Sequence, residues 1–121
     1  MRPVQGVDAG RPHIGDLGEL RQQVLVEGRR TSDRLRTLAL ARLTRADEAG
    51  RSPSDLALEV SQRLADLAAD SAGRERRTVP RLEPHAAGDQ IALLTSDVVA
   101  EGNSTALAAA LSELTALRRA L

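Results

Sequence analysis

Two histidines, His13 and His85, are the only side chains of this 121-residue sequence whose ordinary pKa suits proton transfer near neutral pH. Cys, Lys and Tyr are absent, which removes the thiolate, amine and phenol from the stock of nucleophiles and acids. His85 precedes Asp89 at an i, i+4 spacing, and on a helix this sets imidazole and carboxylate on one face, as proton transfer or metal ligation requires. A capping or surface pair accounts for the same spacing. His13 stands among Pro3, Gly6, Gly10 and Pro12, a stretch too loose to preorganise a site. Asp47 with Glu48, and Glu59 with Asp66 and Asp70, lack the His pair or loop pattern of a metal site and read as solvated helical faces. No catalytic residue, cofactor or metal is therefore expected.

Phosphate-binding loops fail on composition. Gly15 and Gly18 do not form a Gly-rich fingerprint, a Walker loop cannot be completed without lysine, and no G-x-S-x-G elbow is present. All seventeen basic residues are Arg, and seventeen carboxylates balance them to zero net charge, so global attraction to nucleic acid or an anionic membrane is unsupported. Locally, Arg29, Arg30, Arg34, Arg36, Arg42 and Arg45 make one segment basic, and Arg74, Arg76, Arg77 and Arg81 make another. Their angular positions scatter, Asp33 interrupts the first group, and no aromatic side chain is available to stack on bases. Residues 54–69 carry Ala57 at the small position of a helix-turn-helix, but Ser61 replaces the turn glycine and the pattern continues as one helix.

The elements that must carry these residues are helices. From Asp16 onward, Leu17, Leu20, Val24, Gly28, Thr31, Leu35, Leu38, Ala39 and Ala46 fall on one stripe at 100° per residue, which predicts one helix of about 33 residues, or about 50 Å, with a kink at Gly28 as the alternative. Ser52, Pro53 and Asp55 form a capping-box start for a second helix with the stripe Leu56, Val60, Leu64 and Leu67. Glu59, Gln62, Arg63, Asp66 and Asp70 are assigned to water, and Leu58, Ala65 and Ala69 to a lesser face of small residues suited to a second contact. Residues 73–84, with two prolines, read as a connector. A third helix starts between His85 and Asp89, buries Ala87, Ile91, Leu94 and Val98, and stops at Gly102; Asn103 or Ser104 caps a fourth, with Leu107, Ala110, Leu111, Leu114, Leu117 and Leu121 as its stripe.

The fold class that follows is all-α, about four helices in a bundle or array, with residues 1–15 a flexible leader and residues 16–121 a single helical domain. With no aromatic residue the core is thin, and no charge-free run reaches the length of a bilayer span. The absence of cysteine fits a cytoplasmic protein. The function expected is a non-enzymatic helical protein–protein interaction or self-assembly module, paired with itself or another helical protein through the excess apolar surface of helix one at Leu17, Leu20, Val24, Leu35 and Leu38. The alternative is a nucleic-acid-associated accessory protein using Arg29, Arg30, Arg34, Arg36, Arg74, Arg76 and Arg77, with weak, salt-sensitive binding. A small helical enzyme ranks third.

Overall fold

The structure, a computed structural model, describes residues 14–121, with side chains described from Asp16 onward. Its helices are α1 (Ile14–Thr37), the single turn α2 (Leu40–Leu43), α3 (Pro53–Ala72), α4 (Ala87–Glu101) and α5 (Ser104–Ala120), with a 3-10 turn at Pro84–Ala86 before α4. No strand occurs among the described residues. The leader expected at residues 1–15 lies outside them, apart from its last two positions, which already belong to α1.

Local chemistry sets several of these boundaries. The Ser52 hydroxyl accepts from the Asp55 N–H, and the Asp55 carboxylate accepts from the Ser52 N–H, so two orphan donors at the start of α3 are satisfied reciprocally. Asn103 does the same for α5 by accepting from the Ala106 N–H at 2.8 Å. Packing fixes the rest. Helices α4 and α5 each lie against both α1 and α3. Ser32 donates to the Gly88 carbonyl while Gly28 lies against Thr95, so α1 and α4 run antiparallel. Arg63 pairs with Glu113 and Ser71 accepts from the Asn103 N–H, so α3 and α5 are antiparallel as well. By contrast α3 and α4 are parallel: Leu58 shares a recess with Ala87, and Arg74, just beyond α3, pairs with Glu101 at the far end of α4.

The core between them is aliphatic, with Val24, Leu35, Leu43, Leu64, Ile91, Val98, Leu107 and Leu114 all but inaccessible. Helix α1 is continuous through Gly28. The glycine serves the crossing with α4, since a Cβ there would sit 2.4 Å from Thr95 Cγ2. The helix does not continue for about 33 residues as its stripe predicts; it ends at Thr37, and Ala39 takes an extended conformation before the single turn of α2. The bend lets Leu38 and Leu43, on either side of it, both return to the core. A straight continuation would have carried Leu43 past the ends of α4 and α5.

Candidate functional site

At the C-terminus of α3, Gly73 adopts a left-handed conformation (φ 71°), and the N–H groups of Gly73 and Arg74 cap the Asp70 and Ala69 carbonyls. The chain then turns back and runs beside α3 toward the start of α4. Because α3 and α4 are parallel, this connector must retrace most of the length of a helix, and side chains from both helices hold it in place. Gln62 accepts from the Val79 N–H (2.8 Å) and donates to the Arg77 carbonyl (3.0 Å). Gln90 donates to the Pro80 carbonyl at 2.9 Å. Arg81 pairs with Asp55 at 3.1 Å, and Arg76 grips Asp70 through two hydrogen bonds of 3.1 and 2.8 Å. The Arg76 guanidinium hydrogen bond holds the Asp70 carboxyl below its usual range, and Asp70 in turn raises the already high pKa of Arg76.

Between α3, this strap and α4 lies a groove of about 450 Å³. Its floor is the small-residue face of α3, with Ala68 and Ala69 buried and Ala65 half-buried. Leu82 on the strap and Leu93 on α4 border it, 48% and 62% exposed; only Leu40 joins them as an exposed large hydrophobic among the described residues. Two such residues at the mouth of one apolar recess set this surface apart from the rest of the chain. Arg74, Glu75, Arg77, Asp89 and Asp97 supply its charge. Arg77 and Asp97 line the same groove yet neither has an ion-pair partner among the described residues.

No known protein family, curated protein or solved structure matches this chain. The groove presents no histidine and no nucleophile with an adjacent base, and among the described residues no group of three His, Asp or Glu is placed to hold a metal. Its features are an apolar recess, a projecting leucine and a charged rim.

The residues that sequence patterns nominate lie elsewhere or apart. His85 is exposed in the 3-10 turn and faces Glu83 at 3.1 Å, whereas Asp89 binds Arg36 at 2.7 Å, so imidazole and carboxylate do not converge. His13 lies outside the described residues. Of the positions expected to form an interface on helix one, Val24, Leu35 and Leu38 are in the chain's own core, and Leu17 and Leu20 are half-buried against it. Helices α4 and α5 cover the surface expected to be left over for a partner.

The arginines divide as well. Arg36 binds Asp89 and Asp33, Arg74 binds Glu101, Arg76 binds Asp70, and Arg34 donates to the Leu121 main-chain oxygen at 3.0 Å. Arg29, Arg30 and Arg77 are exposed without such partners among the described residues. Asp89, which binds Arg36, and Glu101, which binds Arg74, are twelve residues apart on α4, about 18 Å at 1.5 Å per residue. Gln62, which clamps the strap without lining the groove, is the residue that sequence patterning missed: its phase on α3 is that of a solvated side chain, and only the returning strap gives its amide a role. No helix is long and apolar enough to cross a membrane among the described residues.

Proposed function

We propose that this chain is a non-enzymatic helical interaction module and that the strapped groove between α3 and α4 is its docking site. The observation that carries this reading is the pairing of Leu82 and Leu93, both exposed, with an alanine-floored recess on one face. Exposed leucines are unremarkable when scattered, but a leucine beside a recess of matching polarity gains when a partner removes both from water, at roughly 25 cal/mol per Å² of apolar surface. The strap's hydrogen bonds to Gln62 and Gln90 hold the recess open before binding, which lowers the ordering cost of association.

The nucleic-acid reading draws less support, because most of its arginines already serve carboxylates or a main-chain oxygen. Binding through Arg29, Arg30 and Arg77 would be nonspecific and would weaken steeply with salt. Photo-crosslinking tests the docking site directly. A benzophenone amino acid at position 93 of the full chain, in cells producing it, should form a protein adduct that position 108, exposed on α5, does not form. Filling the recess with Ala65→Leu should suppress that adduct. An absence of protein adducts at position 93, or adducts indifferent to Ala65→Leu, overturns the proposal.

A further inference from the structure

Resting on that reading, we infer that the groove's occupant is the same face of a second copy of this chain, related by a two-fold axis. A two-fold interface must be self-complementary, since every contact from one surface to the other is repeated in reverse. This face carries both halves of such a contact. Leu93 projects from α4 beside the recess floored by Ala65, Ala68 and Ala69, so two copies can each seat a leucine in the other's recess.

The charges repeat the pattern. On the strap rim Arg74 is occupied by Glu101, which leaves Arg77 as the rim's cation without an ion-pair partner among the described residues. On the α4 rim Asp89 is occupied by Arg36, which leaves Asp97. With the two-fold axis running along the groove, the strap rim of one copy meets the α4 rim of the other. Arg77 then faces the partner's Asp97, twice per dimer. Glu75, on the strap beside Arg77, is exposed and lines the groove too.

Sedimentation equilibrium across a dilution series of the full chain, with circular dichroism confirming the fold of every variant, tests the arrangement. The wild type should dimerise. Arg77→Glu and Asp97→Arg should each weaken the dimer about tenfold or more, because each sets like charges together at both symmetric contacts. An equimolar mixture of the two variants should then assemble nearly as the wild type does, since opposite charges meet again at both contacts of the mixed dimer. A wild type that stays monomeric at high micromolar concentration, single reversals that assemble like the wild type, or a mixture no tighter than its components each overturns the second-copy assignment. If position 93 still crosslinks to a different protein in an Ala65-dependent way, only the identity of the occupant is lost; if it forms no protein adduct, the docking reading falls with it.

Discussion

Gly28 and Thr95 form one packing unit. The α1–α4 crossing is tight where Gly28 offers no side chain, and the Thr95 methyl and hydroxyl fill the space that a Cβ would occupy, at 2.4 and 2.7 Å from it. Alanine is the better helix former by about 1 kcal/mol, yet Gly28→Ala should destabilise the protein, because overpacking of this kind costs about 1–3 kcal/mol and the offending atoms belong to a short, β-branched side chain with no room to swing away. Trimming the neighbour supplies the control. Gly28→Ala combined with Thr95→Ala should recover most of the loss, and denaturant unfolding of the two single variants and the double variant measures the coupling. Thr95 has a second peculiarity, since its buried hydroxyl has no hydrogen-bond partner, a property shared with Ser61 among the described residues. Replacing it with the isosteric valine should stabilise the fold by about 1 kcal/mol, as removal of an unpaired buried hydroxyl does. A lower denaturation midpoint for Thr95→Val would mean that the hydroxyl is satisfied after all.

Helix α3 carries both the start of the domain's second half and one wall of the groove, and its N-terminal cap ties the two together. Hydrogen bonds from the Ser52 N–H and hydroxyl, and then the Arg81 guanidinium on the strap, hold the Asp55 carboxyl below its ordinary value of 3.8. A carboxyl whose pKa is lower in the folded than in the unfolded chain adds stability above the unfolded value, and that stability disappears as pH falls through the folded one. Asp55→Asn should therefore cost about 1 kcal/mol near neutrality, the usual size of a cap loss, and the gap between variant and wild type should narrow once the pH drops below about 4. Unfolding at a series of pH values measures this; a gap that persists unchanged into acid would show that the carboxylate's charge contributes nothing. Such caps are short-range chemistry, which is why Ser52, Pro53 and Asp55 could be read from spacing alone, and the cap of α5 narrowed to Asn103 or Ser104, of which the structure uses Asn103. The end of α1 could not, because its apolar stripe runs on past Thr37 and periodicity carries no information about how long the neighbouring helices are. The groove was half legible: Ala65 and Ala69 stood out as a small-residue face, but the clamp formed by Gln62 depends on where a connector with no periodicity of its own returns.

At the scale of the whole molecule, a core without aromatic side chains is assembled from many modest aliphatic contacts, and helix α1 is committed to it along the length of its stripe. This assigns opposite consequences to two leucines that look alike in sequence. Leu35 is 2% exposed and Leu93 62% exposed. Leu35→Glu places a carboxylate among apolar neighbours, at a cost of several kcal/mol, against a total stability for a domain of this size of about 5–15 kcal/mol. The variant should lose most of its helical dichroism or unfold at far lower denaturant than the wild type, whatever its concentration. Leu93→Glu, on the rim, should leave the helical spectrum intact and shift monomer stability by no more than about 0.5 kcal/mol, as surface substitutions do, while abolishing assembly. Circular dichroism and sedimentation on the same two samples separate fold from association. A folded Leu35→Glu protein that had lost only its dimer would place the interface back on α1, and would require α4 and α5 to lie elsewhere than against its stripe.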